Sequence, residues 1–327
     1  MNKQEFVHHI IGKTSLKQQE SSQFSPTNIA LIKYWGKRNS ELNLPITSSL
    51  SLTLPLGTHT RLIVSDTDDK VFLNDQQLSQ DSTFYKRLFA YIDLFRTPGT
   101  YFHVHTKNDI PTAAGLASSA SGFSALILAL NELYDWNLTK KELSMLARLG
   151  SGSSSRSLFN GFVQWHKGSQ DSGLDSFAEA LDATWPDLRM GLWVLQAASK
   201  PICSRNAMQK TIETSHLFRA WPDQVAHDLE RIKEAIVSKD FSLLGKISEH
   251  NALSMHATML ASQPAVCYFL PETISAMQKV WQLRKSGLEV YFTMDAGPNL
   301  KLLYLEKDEK ELQNHIPEIS SLSPFDK

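Results

Sequence analysis

The sequence predicts an α+β fold in two units, and three observations predict it. Strand-like runs gather early in the chain and helical runs follow, without the regular strand–helix alternation that a doubly wound parallel sheet needs. A length of 327 residues suggests two domains at roughly 150 residues each. From Gly168 to Asp187 the composition loosens into Gly, Ser, Asp and Pro, which places a boundary there. The expected organisation is a leading arm over 1–24, a first unit over 25–187 and a second over 188–327.

Taken in order, Met1 to Gln23 is polar and has no apolar signal core, so it reads as a short helix or a disordered arm. Thr27 to Trp35 is an apolar, β-compatible run. Ser49 to Leu54 alternates strictly, which puts Leu50, Leu52 and Leu54 on one strand face. Arg61–Ser65 and Tyr101–Thr106 are further strands, with a helix over Asp81–Phe95 between them. Phe123, Leu126, Ile127, Leu130 and Leu133 recur at helical spacing. Thr139 and Glu142 form a capping box for a helix whose stripe is Leu143, Leu146 and Leu149 and whose stop is Gly150. Gly161–His166 and Arg189–Gln196 are strands. Val225, Leu229, Ile232 and Ile236 mark one amphipathic helix; Ile274, Met277 and Trp281 mark another, ended by Gly287. Leu288–Met294 and Leu300–Leu305 form a hairpin about the turn Asp295-Ala296-Gly297-Pro298-Asn299.

Composition removes several function classes. Thirty-three Lys and Arg against 34 Asp and Glu leave a net charge of −1, so the chain has no basic field for nucleic acid or a membrane surface. Hydrophobic residues at 42% and charged residues at 20% fit a soluble globular protein and not a disordered chain or coiled coil. No apolar run approaches the ~20 residues of a membrane span. Cys203 and Cys267 lie in no CxxC motif, which reads as two unreactive thiols in a reducing compartment; the expected location is the cytoplasm. His103 with His105, and His250 with His256, lack a third ligand at metal spacing, so no structural metal is expected.

Four segments could carry chemistry. Pro111 to Gly122 runs small residues into the first turn of a long helix, where exposed N–H groups and the helix dipole stabilise an anion. Ser118, Ser119 and Ser121 add hydroxyls. The motif is neither a Walker A loop nor GxGxxG, and a serine-rich helix cap remains the alternative. Gly150-Ser151-Gly152-Ser153-Ser154-Ser155-Arg156-Ser157 resembles a flexible linker, but it sits between a capped helix and a strand and contains one Arg, a planar donor for carboxylate or phosphate. Ile32 to Arg38 crowds Lys33, Lys37 and Arg38 with Tyr34 and Trp35, either a solvated cationic end or a site. Asp295 is either plain turn chemistry or a base facing a phosphate site.

Together these segments resemble the GHMP kinase superfamily and, within it, the diphosphomevalonate decarboxylase family. The resemblance rests on SPTNIALIKYWGKRNSELNLPITSSLSLTL from Ser25, NDIPTAAGLASSASG from Asn108, GSGSSSRSLFNGFVQW from Gly150 and FTMDAGPN from Phe292, in the family's order and spacing. KYWGK and DAGPN are the decarboxylase-specific parts. The resemblance implies the GHMP two-domain fold, an N-terminal ribosomal-protein-S5-like domain followed by a C-terminal α/β-sandwich domain. It implies ATP-dependent decarboxylation of mevalonate diphosphate to isopentenyl diphosphate, with ATP and Mg2+ as cofactors and a homodimer as the assembly. A mevalonate 3-kinase or a mevalonate monophosphate decarboxylase is the alternative within the family.

Residue by residue, the resemblance implies that Pro111, Ala113, Ala114, Gly115, Leu116, Ala117, Ser118, Ser119 and Ser121 hold ATP, with Ser119 near its Mg2+. Asp295 faces the substrate hydroxyl, Lys33 adds charge near the reacting phosphate, and Arg156 binds the substrate carboxylate. Asn28, Tyr34, Trp35, Gly36, Lys37, Ser151, Gly152, Ser153, Ser154 and Ser155 line the substrate pocket. Ser204 and Arg205 hold the diphosphate, although Ala207 stands where the family has Gly. Phe72-Leu73-Asn74 resembles a turn after which some longer members carry a substrate-phosphate arginine. The nearest cations here are Lys86 and Arg87, and that role is left open.

Overall fold

The structure, a computed structural model, describes residues 1–12, 14–109, 118–196 and 202–325. Helix α1 (Lys3–Ile11) opens on a capping box in which Asn2 and Glu5 each accept the other's backbone N–H. Phe6 and Val7 are buried, and the Arg148 guanidinium lies 5.1 Å from the Phe6 ring centroid. Of the two readings of the leading segment, the helix is the one found, and it is docked.

Strand β1 (Glu20–Ile32) begins earlier than the expected Thr27. A small ribbon, β2 (Lys37–Asn39) and β3 (Leu44–Pro45), precedes β4 (Ser49–Ser65), a single strand where two were expected. Pro55 and Gly57 look like breakers, but Pro55 is exposed and Gly57 lets β1 approach: a Cβ there would lie 2.1 Å from the Ser25 carbonyl oxygen. Strands β5 (Lys70–Leu73) and β6 (Gln76–Gln77), helix α2 (Thr83–Ile92) and strand β7 (Tyr101–Asn108) follow. Helices α3 (Ser118–Tyr134) and α4 (Lys140–Gly150) lead through a 3-10 turn at Gly152–Arg156 to β8 (Phe162–Trp165) and β9 (Ala178–Ala180). β4 organises this sheet. β1 runs antiparallel along one edge, while β8 pairs with its first half and β7 with its second.

The alternation of Leu50, Leu52 and Leu54 is found, but the opposite face of β4 is buried too. Ser49, Ser51 and Thr53 are at most 2% exposed. One face of β4 is hydrophobic core and the other supports a polar site.

The second half comprises β10 (Leu188–Trp193), α5 (Ser204–Thr214), α6 (Trp221–Ser238), α7 (Phe241–Leu260), α8 (Pro271–Lys285), β11 (Tyr291–Thr293), β12 (Leu300–Leu305), α9 (Glu309–His315) and β13 (Ser320–Leu322). Its antiparallel sheet runs β11-β12-β10-β13. One expectation fails on α8. Ile274 and Trp281 are 40% and 36% exposed, and the buried stripe is Ala276, Met277, Val280 and Leu283. The Trp281 indole stays at the surface and donates to Glu249 Oε1 at 2.8 Å.

The largest core cluster joins Ile29, Leu31, Leu50 and Leu52 from β1 and β4 to Trp221, Ile232, Leu244 and Met255 from α6 and α7. The end of β1 is thereby driven between the two halves. Among the described residues, no helix is long and apolar enough to cross a membrane.

Candidate active site

Lys33 follows the last residue of β1 and is 1% exposed. Its backbone N–H donates to Asn251 Oδ1 at 2.8 Å, and Asn251 Nδ2 donates to Asp228 Oδ2 at 2.8 Å. The helices α6 and α7 therefore set the backbone from which Lys33 projects. The ammonium donates to the Ala30 carbonyl at 2.6 Å and to Asp295 Oδ1 at 3.0 Å. Burial lowers its pKa to about 8, and the Asp295 carboxylate opposes that shift.

Asp295 lies in the turn between β11 and β12. Lys33 stands on one of its oxygens, and Lys301 Nζ is 3.5 Å from the other. Lys301 is 2% exposed, while the Asp295 side chain keeps 28% of its surface open. His256 Nε2 is 3.1 Å from the Asp295 carbonyl oxygen, so the ring is a donor there. Burial pushes the His256 pKa down to about 4, which keeps the ring neutral. The carboxylate is thus held at both oxygens and at its backbone, with one face open.

The second glycine-serine segment is a folded 3-10 turn and not a linker. Ser154 donates to the Ala147 carbonyl at 2.8 Å and Ser155 to the Gly152 carbonyl at 2.8 Å, so these hydroxyls build the turn. Ser151 and Ser153 stay partly exposed, 3.3 Å apart at their oxygens. Arg156 is 3% exposed; its Nε donates to Asn28 Oδ1 at 3.2 Å and its Nη1 to Ser49 Oγ. Asn28 in turn donates to the Ser157 hydroxyl at 2.7 Å. Burial lowers the Arg156 pKa to about 10, while Asp295 and Tyr34 push it back up, so Arg156 stays cationic at neutral pH.

Tyr34 packs edge-on to Trp165 at 4.8 Å, and its buried hydroxyl has no hydrogen-bond partner among the described residues. A Cβ on Gly152 would lie 2.8 Å from that ring, which explains the glycine. Trp35 belongs to the core, 2% exposed, and its carbonyl accepts from the Trp221 indole at 3.0 Å. Gly36 holds φ +109° against Phe218, a conformation that favours glycine. Both residues therefore shape the bend at the end of β1.

Lys37 Nζ donates to Asn43 Oδ1 at 2.6 Å and lines a cavity of about 320 Å³ with Arg205. Ser204 and Arg205 begin α5 and are exposed. A second cavity, about 170 Å³, opens beside the start of α3 and is lined by Thr58, Thr60, Arg87, Ser119 and Gly122. Ser121 faces away from it, fully buried against Thr58 Oγ1 at 2.6 Å. Lys86 pairs with Asp81 at the surface. Pro111, Ala113, Ala114, Gly115, Leu116 and Ala117, with the Ser118 side chain, lie outside the described residues.

Sequence reasoning missed Lys301, Asn251 and His256 as site residues. Lys301 lay two residues past the recognised DAGPN, inside an expected strand. Asn251 and His256 sit on α7, a helix that is buried nearly all round and so shows no apolar stripe.

Two family profiles match the chain. Residues 25–178 match the diphosphomevalonate decarboxylase-like N-terminal domain, and residues 191–323 match the mevalonate 5-diphosphate decarboxylase C-terminal domain. The diphosphomevalonate decarboxylase mvd1 of Aspergillus fumigatus is 37% identical over 321 residues, covering 90% of this chain and 79% of that protein. The Saccharomyces cerevisiae diphosphomevalonate decarboxylase is 36% identical over 315 residues, covering 89% and 79%. The crystal structure of mevalonate diphosphate decarboxylase from Staphylococcus aureus superposes with a TM-score of 0.88 at 38% identity, over 93% of this chain and 95% of that one. A structure of MDDEF in complex with MVAPP, AMPPCP and magnesium gives 0.86 at 41%, over 93% and 96%.

Proposed function

Because the chain belongs to the diphosphomevalonate decarboxylase family, we propose that it catalyses ATP-dependent decarboxylation of (R)-5-diphosphomevalonate to isopentenyl diphosphate, with release of ADP, phosphate and CO2. The observation that carries this reading is the carboxylate of Asp295, pinned between two buried lysines with one face open, and near enough for its charge to oppose the lowering of the Arg156 pKa by burial.

Such a carboxylate accepts a hydrogen bond from the substrate's tertiary hydroxyl, aims the oxygen and receives its proton as phosphate transfers. Lys33 and Lys301 hold that geometry, and Lys33 adds positive charge beside the arriving phosphoryl group. Phosphorylation makes the tertiary oxygen a leaving group. As the C3–O bond breaks, the electron pair of the C–carboxylate bond forms the alkene, so no electron sink is required. Arg156 holds the departing carboxylate in line. Tyr34, Ser151 and Ser153 line this pocket, and Lys37, Ser204 and Arg205 hold the diphosphate.

ATP binds at the α3 start, where Ser119, Thr58, Thr60 and Arg87 offer hydroxyls and a cation around an open cavity. These residues fit a nucleotide, and Mg2+ comes with its phosphates near Ser119. When bound, Mg2+ neutralises charge on the transferring group. The enzyme acts in the cytoplasm as a homodimer, with units dividing near residue 187. The test is a panel of mevalonate, its 5-phosphate and its 5-diphosphate with ATP, read as ADP formed. Turnover confined to the diphosphate supports the reading, and equal or better turnover of mevalonate contradicts it.

A further inference from the structure

The cavity lined by Lys37 and Arg205 has a third cation, and it comes from the leading helix. Lys3, in the first turn of α1, stands on its wall with Ser40, Asn43 and Asn206. Nothing in the family profiles bears on Lys3, because the N-terminal match begins at residue 25. The position is fixed by packing. Phe6 and Val7, on the following turn, are buried among residues of α2, α3 and α4, and the Asn2–Glu5 capping box closes the end that carries Lys3. The Lys3 backbone N–H also reaches Glu41 Oε1 at 3.4 Å, which ties α1 to the turn between β2 and β3.

We propose that Lys3 is a binding residue for the distal phosphate of the substrate diphosphate. This rests on the reading of the chain as a diphosphomevalonate decarboxylase. The cavity, about 320 Å³, is large enough for a diphosphate. A diphosphate monoester carries roughly three negative charges at neutral pH, one more than a monophosphate. Three cations, Lys3, Lys37 and Arg205, face that charge from three elements, so the ligand ties α1 and α5 to β2. Lys37 gives independent support. Its pKa is lowered to about 8 by burial first, then by the positive charges of Arg205, Lys3 and Arg87. Cations brought this close repel one another, and an anion between them relieves the repulsion.

The test compares the full chain with Lys3→Ala and Lys3→Arg. It reads kcat and KM for mevalonate diphosphate, and the Kd of inorganic pyrophosphate and of inorganic phosphate by calorimetry. Lys3→Ala is expected to raise KM and the pyrophosphate Kd about tenfold, the scale of one charge-assisted contact. It should move kcat less and leave phosphate affinity within twofold, and Lys3→Arg should restore most of the loss. An unchanged pyrophosphate Kd in Lys3→Ala, or an equal loss in Lys3→Arg, overturns the proposal. The two readings fail separately. Lys3-dependent pyrophosphate binding without turnover of any mevalonate ester sinks the decarboxylase reading alone, and turnover with Lys3-indifferent pyrophosphate binding sinks this one alone.

Discussion

Asp295→Asn removes one charge and keeps the shape of the side chain. The amide loses both ion pairs, Lys33 at 3.0 Å and Lys301 at 3.5 Å, and can no longer take a proton from the substrate hydroxyl. Loss of a positioned proton acceptor is worth ~10² to 10⁴ in rate, so kcat should fall by at least about a hundredfold. The fold should survive. Breaking a fully buried pair costs about 3–5 kcal/mol, but the Asp295 side chain is 28% open to water. Lys33, already lowered to about 8 against the pull of Asp295, sheds its proton more easily once that pull is gone. A cost of about 1–3 kcal/mol follows, a Tm lower by a few degrees. The assay is kcat by coupled ADP release, with the nucleotide Kd and a melting curve on the same preparation. Activity within a few-fold of wild type would refute the role given to this carboxylate. So would a lost nucleotide site, because the α3 cavity does not include Asp295.

Other outcomes follow from the same geometry. Arg156→Lys keeps the charge but loses the planar fork that reaches Asn28 and Ser49 together, so kcat/KM for the mevalonate ester should drop at least about tenfold with ATP affinity little changed; a defect in ATP affinity alone would move Arg156 to the nucleotide site. Activity should decline as pH rises through about 8, because Lys33 then loses its proton and the Asp295 ion pair with it. Folding lowers this pKa below the ordinary 10.5, so the folded chain binds fewer protons than the unfolded one between about 8 and 10.5. Lys33 therefore makes the fold more stable as pH rises through that window, and a Tm that holds while kcat falls is the expected signature.

The sequence displayed the site where backbone chemistry forces residue type. Gly152 under the Tyr34 ring and Gly36 at positive φ survive only where a Cβ or an ordinary φ is excluded, so those segments stood out. Period also worked where one face is apolar, as with Leu50, Leu52 and Leu54. It failed where polar residues are buried on purpose. On α7, Ser248, Glu249, Asn251 and His256 are all buried, so the helix that positions Lys33 and the Asp295 turn looked unpatterned. β4 was expected as two strands, Ser49–Leu54 and Arg61–Ser65, because Pro55 and Gly57 interrupt the alternation, and it is β1 pairing on both sides of them that makes one strand. Lys301 reads as an ordinary outward strand residue, and only the fold of the turn brings it to Asp295. Trp281 falls on the expected apolar stripe by its spacing, while the ring stays partly exposed and its indole N–H donates to the buried Glu249.

The measurement that bears most directly on the account is the ratio of ADP to CO2 with mevalonate diphosphate, taken through a single preparation and quenched for phosphorus NMR. The account has the carboxylate leave only after the tertiary oxygen carries phosphate. It therefore predicts equal amounts of ADP and CO2, and neither product without nucleotide. An analogue with an electron-withdrawing fluorine on the C3 methyl should slow the second step and let a 3-phosphate accumulate, because positive charge builds at C3 as phosphate departs. ADP formed with the natural substrate beside a stable 3-phosphate and no CO2 would contradict the account and make the chain a kinase.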